Sequence, residues 1–260
     1  TPLYSSAASD VYKRQLKHSR VLQHTVEHSE LLTLCSEPSV KAAVASMMHP
    51  DGGFQNARTL AGSRPLLYYG FPHIPLASLA GYLLGEQAVV HLMEHDRETN
   101  TFEWAVSPLT TIEPLATQFH QAQDKGALVV RVSVSSQVTP SLCHIATSEP
   151  IAKTIDFSIE RPRRGAIVSE SQARGYAKLI RESLDLHASS GTEVTGVHVF
   201  AAVPVSLAFL IGQIASFHGF PLTFVYNFNA ADSPPYRWAV CLHGAGTDGG
   251  VHIVRSHSSP

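Results

Sequence analysis

The sequence predicts an α/β protein built from two similar halves, each a mostly parallel sheet flanked by helices, with the halves related by an approximate two-fold axis. Three observations predict it. First, the apolar run at residues 66–69 meets a break at Gly70, Pro72 and Pro75 and passes at once into Leu76, Leu79, Ala80 and Leu83, which repeat at helical spacing. Second, the pattern returns at residues 197–200, where Ala201 and Ala202 replace the first break and Val203-Pro204 opens the next helical run. Third, Trp-Ala-Val follows both copies, 29 residues after Pro75 and 34 residues after Pro204, with apolar strands at 88–93 and 221–228 between. Repeated order outranks any single-residue cue, and the two copies are offset by 129 residues.

The elements follow in order. Residues 1–15 read as a translated sequencing-adapter junction and stand apart from the fold; residues 16–62 form an N-terminal helical segment; residues 63–260 form the two halves, 63–160 and 161–260. In this reading the natural start lies upstream and an effector domain fused there would be unseen. His24 and His28 are one helical turn apart, but no Glu or third ligand accompanies them, so solvated side chains are expected rather than a metal site. Ser36, Glu37 and Pro38 start a helix that runs to about Met48, and the Gly-rich stretch 51–63 reads as a loop. Pro75 suits the first position of a helix, where a missing N–H costs nothing.

Residues 127–135 form the clearest strand, with Arg131 alternating against valines and Ser135-Ser136 closing it, and 154–159 form another. Arg161, Arg163 and Arg164 make the densest basic cluster. Ser169 and Gln172 form a capping box for a helix that carries Ala173, Tyr176, Ala177, Ile180 and Leu184 on one face. The tail from Gly244 is polar, apart from an edge strand at 251–254.

The chemistry lies in the turns. A strand that ends in small residues and feeds a helix leaves that helix's first N–H groups unpaired beside the positive end of its dipole, and anions settle there. In open parallel sheets ligands occupy the crevice beyond the strands' carboxyl ends. Two such half-sites suit a ligand with repeated anionic groups; the plain alternative, two connectors and nothing more, stays open. The candidate contacts are Tyr69, Gly70, Phe71, His73, Ile74 and Pro75 in the first turn, and Ala201, Ala202, Pro204 and Ser206 in the second. Glu94, His95, Asp96 and Arg97 cluster just past the strand at 88–93; a carboxylate there could hold a ribose hydroxyl and Arg97 a phosphate or base, or Asp96 and Arg97 form an exposed pair. Ser135 and Ser136 allow close approach, Arg163 and Arg164 could meet phosphate or an oligomer neighbour or form a solvated loop, and Tyr226 and Asn227 end the last strand of the repeat. Aromatics at Tyr226, Tyr236 and Trp238 fit a core as readily as a stacked base.

Composition bounds the rest. The chain of 260 residues is 44% hydrophobic and carries a net charge of −2, which excludes broad electrostatic binding to DNA or a membrane surface. Charged residues make up 15%, against roughly 25% in an average domain, a surface suited to self-association. Cys35, Cys143 and Cys241 are too scattered for a disulfide framework or zinc site, so the cytoplasm is the expected compartment and no metal or cofactor is called for. No apolar run reaches the roughly 18 residues of a membrane span.

The blocks YYGFPHIPLASLAGYLLG, HLMEHDRETNTFEWAV, VHVFAAVPVSLAFLIG and PYRWAV, in that order, resemble the SAVED domain across about residues 66–242. That resemblance implies a fusion of two CARF-like, Rossmann-type halves from bacterial antiphage defence (CBASS and type III CRISPR systems). It implies a non-catalytic sensor of a cyclic oligonucleotide, a cyclic tri- or tetranucleotide above all. Such a sensor assembles head-to-tail on binding and activates an effector that is fused upstream or separate. The alternative is a Rossmann-like enzyme that cleaves the cyclic oligonucleotide, with His73, His95 and Asp96 as its candidates; no GxSxG, GxGxxG or P-loop supports it.

Overall fold

The structure, a computed structural model, describes residues 36–96, 100–104, 113–188, 191–217, 221–244 and 250–254. His24, His28, Cys35 and Arg97 lie outside these residues. The chain begins with α1 (Glu37–Met48), α2 (Gly53–Ala61), β1 (Leu66–Tyr68), α3 (Ile74–Leu84) and β2 (Val90–Leu92). A short hairpin, β3 (His95–Asp96) and β4 (Thr101–Phe102), follows. Then come β5 (Ala116–Gln121), β6 (Lys125–Ser133), α4 (Pro140–Ala146), β7 (Ile151–Ser158), α5 (Glu170–Ala188), β8 (Glu193–Ala202), α6 (Val205–Ala215), β9 (Thr223–Asn227), β10 (Trp238–Cys241) and β11 (Val251–Ile253).

Local chemistry sets the helix starts. Ser36 caps α1 by accepting from the Ser39 N–H. Ser169 Oγ accepts from the Gln172 N–H at 3.2 Å while Gln172 Oε1 reaches back to the Val168 N–H at 3.0 Å, a capping box shifted by one residue that begins α5. The loop expected at 51–63 is instead α2: its glycines stand at the two caps, Gly52 before it and Gly62 after it at φ +57°, while Phe54 packs on the core. Glycines read as a loop signal here mark the helix ends.

The sheet order is β11-β10-β9-β8-β6-β7-β5. Its middle four strands, β9, β8, β6 and β7, are parallel, whereas β10, β11 and β5 pair antiparallel at its flanks. The expectation of a mostly parallel sheet therefore holds for the centre and not for the edges. The physical reason is connection length: β9 and β10 are joined by about ten residues with no crossover helix, so the chain returns antiparallel. β5, β6 and β7 precede residue 160 yet share this sheet with β8 to β11, while β1 and β2 form a separate parallel pair. β5 closes one edge with all six residues exposed.

On one face Val130, Val132, Val197 and Val199 meet Ile180 and Leu184 of α5 and Leu207 and Ile211 of α6. On the other, Val129, Phe200, Tyr226 and Ala239 pack under Cys143 and Ala146 of α4 and under Tyr236. α3 buries eight of its eleven residues rather than a single stripe. It is enclosed because α6 lies along it while α1, α2, β9 and β10 also reach it. Each fully buried leucine there, such as Leu76 or Leu79, contributes roughly 1.5–3 kcal/mol.

Candidate functional site

The paired helices α3 and α6 position the site. Ser78 Oγ donates to the Ala208 carbonyl at 2.8 Å, and Gln213 Nε2 donates to the Gly85 carbonyl at 2.7 Å. A methyl group on Gly81 would overlap the Phe209 carbonyl, and one on Gly212 would overlap the Ser78 carbonyl. Contacts that climb both helices together mean that α3 and α6 run side by side in the same direction. Only glycine allows backbones this close. Both N-termini consequently emerge at one end, the end where β1, β2, β6, β8 and β9 finish.

At that end the two strand–helix units hold each other by crossed contacts. His73, the N-cap of α3, hydrogen-bonds through Nδ1 to Asn227 Oδ1 at 3.1 Å, and Asn227 ends β9. Glu94, just past β2, accepts through Oε2 from both the Ser206 N–H at 3.2 Å and the Ser206 hydroxyl at 2.7 Å, in the first turn of α6. A carboxylate thus occupies the positive end of α6. Beneath it burial, with a smaller push from Glu94, drives the Tyr68 hydroxyl above its ordinary pKa, so that phenol stays neutral.

The rim continues along the large sheet. The Val134 and Ser135 N–H groups both donate to the Ala202 carbonyl, at 3.0 and 2.7 Å, and the Arg163 N–H donates to the Val134 carbonyl at 2.9 Å. Arg163 Nη1 also binds Glu113 Oε2 at 2.6 Å, and this bond, with the Arg161 N–H, holds the Glu113 carboxyl below its usual range. Arg163 and Arg164 are exposed. Around the first turn, Phe71 is 60% exposed and touches His95 (ring centres 4.5 Å apart) and Phe102 (4.9 Å), which also meets Tyr69 (5.2 Å).

The structure therefore brings His73 to Asn227, sets Ser206 beside Glu94 of the cluster past β2, and links the ends at Ala202, Ser135 and Arg163. Tyr69, Gly70, Phe71, Ile74, Asp96, Ser136 and Pro204 lie at the same end, Asp96 on the β3–β4 hairpin. Pro75 and Ala201 are buried beneath it. Tyr226 does not join them. Its ring lies in the core on the opposite face of the sheet, where His198 Nδ1 contacts its hydroxyl at 2.8 Å and His198 Nε2 contacts Glu149 at 2.8 Å. Arg131 is likewise spent on that face, in a two-pronged pair with Asp156 whose outer contact is 2.6 Å. Glu94 carried a readable signal: a carboxylate just beyond one strand of the repeat and a serine in the first turn of the other copy's helix. Among the described residues no cluster of His, Cys, Asp or Glu could hold a metal ion, and no helix is long and apolar enough to cross a membrane.

A sequence profile for the SAVED family, described as the SMODS-associated and fused to various effectors sensor domain, matches residues 52–242. The chain belongs to this family. The match runs from Gly52, the cap of α2, to Leu242, just past β10, so the SAVED domain takes in the whole crossed junction. No curated protein sequence matches. Among solved structures, the chain is similar to the Acinetobacter baumannii Cap4 SAVED/CARF-domain receptor with the cyclic trinucleotide 2′3′3′-cAAA, at 14% identity and a TM-score of 0.49, covering 74% of this chain and 41% of that one. The same receptor with 3′3′3′-cAAA gives 13% identity and 0.49 over 79% and 43% of the two chains. The Moraxella osloensis Cap4 receptor gives 11% identity and 0.40 over 75% and 40%. The chain thus spans less than half the length of these receptors.

Proposed function

We propose that this SAVED domain is a cytoplasmic, non-catalytic sensor of a bacterial antiphage defence system, and that the end where α3 and α6 begin binds a cyclic oligonucleotide, a cyclic tri- or tetranucleotide. The observation that carries this reading is the parallel pair of helices with both starts at one end, crossed by His73–Asn227 and Glu94–Ser206. A ring with repeated phosphates presents several anions at once, and two adjacent positive helix ends meet that pattern. In this reading the strand–helix–strand units 66–92 and 193–227 are CARF-like counterparts related by a pseudo-two-fold axis between α3 and α6. The backbone N–H groups at the starts of α3 and α6 face phosphates, and Ser206 donates to one once Glu94 yields. Ser135 and Ser136 allow close approach, and Arg163 and Arg164 add charge. Ligand-bound copies stack head-to-tail, a heterologous contact that propagates, and so switch on an effector fused upstream or separate.

Isothermal calorimetry with cyclic di-, tri- and tetranucleotides tests this: one member should bind at micromolar affinity or tighter, with sedimentation shifting to larger species in its presence. Silence across the panel overturns the reading. Recovery of linear products from the bound ligand would replace the sensor with the cleaving enzyme.

A further inference from the structure

We propose that Phe71 is the stacking platform for one nucleobase of the ligand and that this chain has a single such platform at the junction; the inference rests on the proposed sensor function. A lone exposed phenylalanine needs no explanation, but Phe71 is not alone. It sits at the top of a four-ring cluster whose base, Phe102, is only 5% exposed, with Tyr69 and His95 against that base. His95 meets Phe71 edge-on at 68°, and Phe102 is tilted 56° to it, so its neighbours brace the ring while 60% of it faces solvent. Bracing removes the rotamer entropy that stacking would otherwise cost. The hairpin that supplies His95 and Phe102 starts beside Glu94, and Phe71 is two residues from His73, so the ring belongs to segments that carry a residue of each crossed contact.

Among the described residues the second turn has no counterpart. Its strand ends at Ala201 and Ala202 and reaches α6 through Val203 and Pro204. Phe228, an exposed ring just past β9, leans on Tyr236 of the opposite face. Stacking is tolerant of base identity because every base has a π-face, so Phe71 contributes affinity at one position of the ring rather than a reading of the whole sequence.

The test uses the full chain and calorimetry against cyclic di-, tri- and tetra-adenylates, -guanylates and -uridylates. Phe71→Ala should weaken the tightest-binding member between about 5-fold and 150-fold. Phe71→Trp should retain affinity, with an added tryptophan fluorescence signal that is quenched on titration. Phe217→Ala, another half-exposed ring just past the far end of α6, should leave affinity within twofold. If wild type binds but Phe71→Ala stays within twofold, or Phe71→Trp binds unquenched, the platform is disproved and the sensor reading stands. If wild type binds no member, both fall. A Phe71→Ala chain that loses ligand-driven assembly at unchanged affinity assigns the ring to a protein contact and also overturns the proposal.

Discussion

The two strand–helix units at the junction are built to different standards. In the second, β8 runs ten residues through the middle of the large sheet, with its central residues buried, and passes to α6 through Val203 and Pro204 alone. In the first, β1 has three half-buried residues, pairs only with β2, and needs residues 69–73 to reach α3. The repeated tryptophans differ as well: Trp104 Nε1 donates to the Leu92 carbonyl at 2.8 Å, whereas Trp238 Nε1 is buried without a partner among the described residues. The second unit is a foundation and the first is docked onto it through α3. The turn with the most exposed chemistry belongs to the unit with the fewest ties, as expected of a region that must yield to a ligand.

If docking depends on the close approach of α3 and α6, filling that approach should do the most damage. Gly81→Ala and Gly212→Ala each place a methyl group on the partner helix's backbone and should cost about 3 kcal/mol in urea unfolding. Loss below 1 kcal/mol from both would mean that the helices are not held as described.

The crossed contacts should rank next, and unequally. A double-mutant cycle on Glu94→Gln and Ser206→Ala should give coupling of about 2 kcal/mol, because a carboxylate is the acceptor. The neutral pair, through His73→Ala and Asn227→Ala, should give about 1 kcal/mol. Equal couplings would remove the charge asymmetry between the units.

Acid should weaken the foundation rather than the docked unit. Burial lowers the pKa of His198 and of His252, both on the back face of the large sheet, so their neutral forms are favoured when folded. The unfolded chain takes up protons near pH 6.5, before the folded one does. This stability is therefore complete above that pH and is lost progressively as pH falls through it toward the lower folded values. Urea midpoints should drop between pH 7.5 and 5.5, and a flat profile would show that these rings are already charged in the fold.

The smallest effect is a gain. Gly175 lies within α5 with open space about it, so Gly175→Ala should stabilise by up to about 1 kcal/mol, the reverse of Gly81→Ala.

The two strand–turn–helix segments were legible because apolar runs and proline starts lie close together in the chain. Residues 66–84 and 197–215 became strand, turn and helix where periodicity placed them. What stayed hidden depends on contacts distant in sequence. Arg131 looked like a surface charge until register set it opposite Asp156 on the neighbouring strand. Glu94 and Ser206 are 112 residues apart, and only the crossing of the units joins them. Gly81 and Gly212 carry no signal in the sequence pattern, whereas each is the point where one backbone touches another. Tyr226 was open between core and stack, and its pairing with His198 decides for the core.

Helices laid alongside each other in the same sense put like poles together, the reverse of the antiparallel arrangement that offsets neighbouring macrodipoles. The start of α3 therefore presents its positive pole beside that of α6, and Glu94 occupies the latter. In the proposed sensor a phosphate bound at the two helix starts is exposed to salt that screens charges beyond about 8 Å at physiological ionic strength. If the proposed site holds, binding should weaken as salt rises even though the net charge of the chain is only −2.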